Sequence, residues 1–171
     1  MDNRTTYFEQ VIWPHSRAAY HFARWLVHND HDAEDIVQES LIKALQSIHT
    51  MRGVDVRPWL LAIVRNTAIN FMQRNKPAKE SAWNEAADQR QDSAPDAERN
   101  LIDQARRDRV RSAIERLQPE FREALVLREI EDLPYKEIGF VLKIPIGTVM
   151  SRLSRARNLL ARELLSEGIE S

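Results

Sequence analysis

The chain has 171 residues, with 25 lysines and arginines against 26 aspartates and glutamates and no cysteine. That length makes one compact domain or two small ones, and the missing cysteine excludes disulfides, thiolate nucleophiles and thiolate metal sites while fitting a reducing compartment. No apolar run approaches about eighteen residues and the N-terminus lacks a charged-then-apolar layout, so a soluble, cytoplasmic protein without membrane insertion is expected.

Glycine and proline are sparse, at 4 and 7, and no stretch alternates apolar with polar residues, so the expected class is all-α. The first helix is expected from about Thr6 to Asn29, broken or kinked at Pro14 because proline lacks an amide proton and clashes with the preceding turn. The second is expected to start at the cap Asp32, with Glu34 and Asp35 at the positive end of its dipole and Val37, Leu41, Leu45 and Ile48 as its core stripe. A loop from His49 to Arg57 containing Gly53 follows. Pro58 then opens a third helix lined by Leu60, Ile63, Val64, Thr67, Ala68 and Phe71, which ends near Arg74 before Pro77.

Residues 76 to 96 carry two prolines, many small polar residues and almost no large apolar ones, too little apolar surface to offset the entropy of ordering. The chain is therefore expected to divide into two small helical domains, 1–75 and 104–171, joined by a flexible linker, 76–103, in which Trp83 is the one candidate docking point and reads better as a weak contact than as a functional site. A helix is expected from about Glu98 to Leu117, and another opened by Pro119 with Phe121, Leu125 and Val126.

Residues 135 to 157 then read as a short amphipathic helix, a tight turn and a basic helix. Ile138, Val141 and Leu142 share one face of the first. Ile146, Val149, Leu153, Leu160 and Leu164 stripe the second, with Pro145 in its first turn. Two such faces joined by a few residues make a helix-turn-helix. From Ile138 to Arg162 there is no Asp or Glu, the local imbalance expected of an element that faces phosphates. Thr148, Ser151, Arg152 and Arg155 project from the stripe near the end of the helix that enters a major groove, and their side chains can bond base edges or phosphates.

The charge is local. Residues 1–75 hold eight bases and eight acids, 76–103 four and seven, and 104–171 thirteen and eleven. Such a chain neutralises few phosphates, so weak duplex binding by itself, and dependence on a larger partner, is expected.

Three segments in one order, D-A-E-D-I-V-Q-E-S-L-I-K-A-L at 32–45, R-P-W-L-L-A-I-V-R-N-T-A-I-N at 57–70 and the helix-turn-helix at 135–157, closely resemble the bacterial extracytoplasmic-function sigma factors, the compact sigma-70 relatives with only the second and fourth conserved regions. The resemblance covers about 5–74 and 104–165. It implies a factor that directs RNA polymerase core to specific promoters and assists melting, without enzymatic activity or cofactor of its own. It further implies that Asp35, Gln38 and Glu39, which share one side of a helix, bind the polymerase clamp helices.

The loop and the W-L-x-x-I-x-R-N helix resemble the family's minus-ten reader, which captures unstacked bases of the non-template strand. Arg52 and Asp55 would bond base edges, and Arg65, Asn66, Asn70 and Arg74 would line the strand's path. Trp59 reads better as a core wedge than as a stacking platform. Thr148, Ser151, Arg152 and Arg155 would contact the minus-thirty-five duplex, and control by an anti-sigma factor is implied. Three positions depart from the family pattern: Lys143 stands where glycine is usual in the turn, so a left-handed residue or an altered turn is expected; Met150 stands where lysine is common; and Asn70 replaces a frequent Asp.

His21, His28 and His31 lie close in sequence, but no carboxylate completes a metal site at tight spacing, so polar or capping roles are expected. No phosphate loop, nucleophile motif or carboxylate pair appears. Two rival readings are a stand-alone helix-turn-helix regulator and a sigma-like sequestering adaptor.

Overall fold

The computed structural model describes residues 3–76 and 97–169, all strand-free, with the side chains of 97, 98 and 167–169 left aside. Most of the expected linker, Trp83 included, lies outside the described residues.

Proline divides the first expected helix. Helix α1 (Asn3–Tyr7) runs into a π-helical turn (Phe8–Ile12), Pro14 sits in a 3-10 turn (Trp13–His15), and α2 (Ser16–Val27) follows. His28 ends α2 in the left-handed region at φ 57°, its amide bonded to Arg24. The next cap is not Asp32. Helix α3 (Asp30–Ser47) starts earlier because Asn29, extended at φ −142°, accepts the Asp32 amide on its side-chain oxygen at 3.1 Å. Asp30, freed to point inward, receives Tyr20 Oη at 2.9 Å and Arg24 Nε at 2.7 Å, which ties α2 to α3.

Helix α4 (Val56–Arg74) begins two residues before Pro58, which the first turn accommodates without losing a bond. Helices α2, α3 and α4 pack pairwise around Phe22, Ile36, Leu60, Leu61 and Val64. Trp59 is 7% exposed and is a core wedge.

The second half comprises α5 (Ala97–Glu115), α6 (Pro119–Leu125) continuing through a π-helical turn (Val126–Ile130), α7 (Tyr135–Leu142) and α8 (Ile146–Ile169). Helix α5 thus takes in residues 97–103 of the segment drawn as linker. The guanidinium of Arg122 reaches back to the carbonyls of Glu115 at 2.8 Å and Leu117 at 3.2 Å, satisfying acceptors that the end of α5 leaves open.

The two halves are docked rather than apart. Helix α7 lies along α4, α2 touches α6, and the buried apolar side chains of both halves form one cluster. Burial therefore binds the helix-turn-helix to the helix expected to hold melted DNA.

Candidate polymerase and nucleic-acid interfaces

The stripe expected for α3 faces the core except at Leu45, and the buried face is wider than expected. Ala33, Ile36, Val37, Ser40 and Ala44 are buried, Leu41 and Ile48 are half-buried, and Leu45 is exposed. Small residues at 33, 40 and 44 let α3 approach α2 and α4 closely beside Ile36 and Val37, while Ile42 and Leu45 are exposed. Asp35 and Gln38 are exposed on the face opposite Ile36, and Ile42, 57% exposed, stands one turn beyond Gln38. Glu39 sits at the edge of this face, bonded to Lys43 at 2.7 Å and Arg74 at 3.2 Å. The Lys43 hydrogen bond, with Arg74 adding to it, holds the Glu39 carboxyl below its usual range. Ile42 was missed in the sequence; its spacing of four from Gln38 and seven from Asp35 was the signal that would have found it.

Arg52 and Asp55 are exposed on the loop before α4, and Asn66, Asn70 and Arg74 are exposed on α4. Glu39, Lys43, Asn70, Gln73 and Arg74 line one groove between α3 and α4, so the expected polymerase face and the expected strand path adjoin. Arg65 is elsewhere. It turns to the second half and meets Glu123 at 3.2 Å. Burial pushes the Glu123 carboxyl above its usual range, against the pull of Arg65 and then Arg152 and Arg122. One helix start away, Arg57 bonds the Glu131 carboxylate at 2.8 Å and the Glu131 backbone carbonyl as well. Asp55 faces Glu137 of α7, and burial, with the Asp55 contact added, raises the Glu137 carboxyl. None of these cross-half pairs had a sequence signal, since partners 58 and 74 residues apart share no local pattern.

In the helix-turn-helix, Ile138, Val141 and Leu142 are buried as their spacing predicts. Lys143 takes the left-handed conformation at φ 56°, ψ 46°, so the turn keeps its shape despite the missing glycine. The glycine that matters is Gly139: a Cβ there would lie 2.9 Å from the Ile144 carbonyl oxygen. Pro145 stands just before α8 rather than within it, its carbonyl receiving the Thr148 and Val149 amides. Of the expected stripe on α8, Val149 and Leu153 are buried and Leu160 is half-buried, Ala156 joins them, and Ile146 is 48% exposed.

The outward face of α8 carries Gly147, Met150, Ser151, Ser154 and Arg155, all exposed. Thr148 is half-exposed at its edge. Arg152 departs from the expected projection: it is half-buried, turned toward Glu120 of α6 at 3.9 Å. Arg157 is held by Glu129 at 2.8 Å, which leaves Arg155 as the exposed arginine at the centre of this face. The histidines take no common site. His21 is exposed and His28 ends α2, and no cluster of metal-ligand type occurs among the described residues.

Comparison with known proteins identifies the family. The model for sigma-70 region 2 matches residues 12–77 and the model for sigma-70 region 4 matches residues 107–160. The chain is 34% identical over 143 residues to the ECF RNA polymerase sigma-E factor of Haemophilus influenzae, covering 78% of this chain and 75% of that one. It is 32% identical over 164 residues to the ECF RNA polymerase sigma factor SigE of Mycolicibacterium smegmatis, covering 96% of this chain but spanning 64% of the relative's length. Among solved structures it resembles the sigma factor RpoE in complex with the anti-sigma factor NepR from Bartonella quintana, with a TM-score of 0.72 and 28% identity over 93% of this chain and 96% of that one. CnrH, solved with the cytosolic domain of CnrY, shares the fold at a TM-score of 0.69 and 22% identity over 95% of this chain and 90% of that one. With both matched regions present in this order and a relative 34% identical over most of both chains, this chain belongs to the ECF sigma factors of the sigma-70 family.

Proposed function

We propose that this chain is a transcription initiation factor that brings RNA polymerase core to a subset of promoters and helps open them. The observation that carries the reading is the groove between α3 and α4, where Glu39, facing the expected enzyme surface, borders Asn70 and Arg74 on the expected strand path. An enzyme docked on Asp35, Gln38 and Ile42 would deliver opened DNA directly to α4. Exposed Ile42 supports docking, because an apolar side chain ringed by polar groups resembles the centre of a protein interface. On the other half, Ser151, Arg155 and the edge residue Thr148 can read an intact major groove. Arg152, tied to α6, would steady the reading helix until DNA draws it outward.

Synthesis of RNA belongs to the polymerase, and no cofactor is assigned. Likeness to a sigma factor solved with its anti-sigma factor, over nearly the whole chain, supports control by a partner of that kind.

Transcription reconstituted from core polymerase and this chain tests the reading. Templates are first selected from random DNA by the assembled holoenzyme. Specific transcripts that appear only when the chain is added are expected. Tight, sequence-specific duplex binding by the chain alone, with no transcript in the presence of core, would instead identify a stand-alone regulator.

A further inference from the structure

Gly147, Met150, Ser151, Ser154 and Arg155 form one exposed strip at helical spacing, and it begins in the first turn of α8, the end of a reading helix that meets base edges. The strip is poor in groups that bond bases. Arg152 is turned to Glu120 and Arg157 to Glu129, which leaves Arg155, at the far end, as the charged member. The Ser151 hydroxyl already donates to the Thr148 carbonyl at 3.0 Å. Near the helix start the largest side chain of the strip is Met150, 54% exposed. A thioether has no donor for a phosphate or a base edge. In a major groove its match is the one apolar group that the base edges carry, the C5-methyl of thymine.

Gly147 points the same way on separate grounds. Glycine inside a helix is less stable than alanine, because its backbone loses more freedom on ordering. Nothing among the described residues requires it at 147. A Cβ there would meet no atom within 4 Å and no positive φ is involved, in contrast to Gly139, which presses on Ile144, and Gly53, at φ 66°. The missing side chain therefore leaves room for something outside the chain. Side chains on a helix lean toward its N-terminus, so Met150 reaches over the gap that Gly147 leaves one turn earlier.

We propose that Met150 is a specificity-determining residue: its thioether packs on the 5-methyl group of one thymine in the upstream duplex, and Gly147 lets the helix come close enough for that contact. The inference deepens the function proposed above and rests on it, naming a base that the reading helix selects. A lysine at this position would seek a phosphate and leave base identity unread. Methionine replaces that contact with an apolar one, so the promoters of this chain carry a thymine where the side chain falls.

The test uses the holoenzyme and an upstream duplex that it selects from random DNA. Each thymine of that duplex is replaced in turn by deoxyuridine, which removes the methyl group and keeps every hydrogen-bonding edge. Binding is measured for the parent, Met150→Ala and Gly147→Ala. At one thymine, methyl removal is expected to weaken the parent about fourfold, the worth of one buried carbon, and to leave Met150→Ala unaffected. At the other thymines the two proteins should respond alike. Gly147→Ala should raise Tm, since alanine suits a helix better, yet bind the duplex more weakly and discriminate less.

If no thymine separates the parent from Met150→Ala, the contact does not exist and the proposal fails. If Gly147→Ala binds and discriminates as the parent does, the helix needs no gap and the role given to Gly147 fails. A lower Tm in both variants with equal losses on every duplex marks a structural role and overturns the proposal too. Should the transcription assay identify a stand-alone regulator, the same scan on the duplex that the chain binds by itself carries the same readouts, so the two readings fail separately.

Discussion

Two residues four apart shape the turn of the helix-turn-helix, with opposite consequences for substitution. Lys143 holds a left-handed conformation that costs a side-chain-bearing residue about 1 kcal/mol. Lys143→Gly is expected to stabilise the chain by up to that amount, raising Tm by about 2–4 °C in a calorimetric scan. Gly139 has no such latitude. An added Cβ would press on the Ile144 backbone oxygen, in a turn closed by the Ile144 amide donating to the Gly139 carbonyl at 3.1 Å. Gly139→Ala should therefore destabilise by about 1–3 kcal/mol and weaken duplex binding along with it, read by denaturant unfolding and by gel shift with the holoenzyme. The family resemblance made position 143 conspicuous from the sequence; the constraint at 139 became visible only when α7 and α8 were folded against each other.

Helices present faces, and the faces decide partners. On α3 the outward group of Asp35, Gln38 and Ile42 predicts that Ile42→Lys weakens binding to core polymerase by about tenfold or more, the loss expected when an apolar side chain worth about 1.5–3 kcal/mol of burial is replaced by a charge. Its Tm should hardly move, because Ile42 is already in water. A loss of fold instead of affinity would assign Ile42 to the core. On α8, Met150 is 54% exposed on the face that carries Ser151 and Arg155. Met150→Lys would restore one phosphate contact, steepening the salt dependence of upstream duplex binding by about one unit in the log–log slope. An unchanged slope would show that the side chain at 150 stays clear of the phosphates. Periodicity located both helices and placed Val37, Leu41 and Ile48 of α3 against the core, but it misplaced Leu45, which is exposed, and missed the alanines and serine that fill the tight contact beside them.

At the scale of the whole molecule, closure is linked to pH through Glu123 and Glu137, both raised by burial where the halves meet. Burial against α4, with Asp55 adding to it and Arg57 opposing, raises the Glu137 carboxyl in the docked form. Once the halves part, it returns to its ordinary value. Its contribution to closure is therefore fully present below the ordinary carboxylate range and is lost as pH rises through the raised value. Energy transfer between labels on the two halves should be higher at acidic pH than at neutrality, and Glu137→Gln should flatten part of the dependence, the rest belonging to Glu123, whose carboxyl is also raised by burial at the same contact. A profile unchanged by that substitution would place the titration elsewhere. Salt should loosen the docked form too, since the Arg57 pair is only partly shielded.

From the order of residues alone came the all-helical class, the break at Pro14, the acid-free basic helix and the family, because each of these is written in local spacing, in composition or in contiguous motifs. The docking of α7 on α4, the pairing of Arg57 and Arg65 with Glu131 and Glu123, and the inward turn of Arg152 were decided by tertiary structure. Those contacts join residues far apart along the chain, and which charged groups meet there depends on how two apolar faces come together rather than on any repeat that a single stretch of sequence carries.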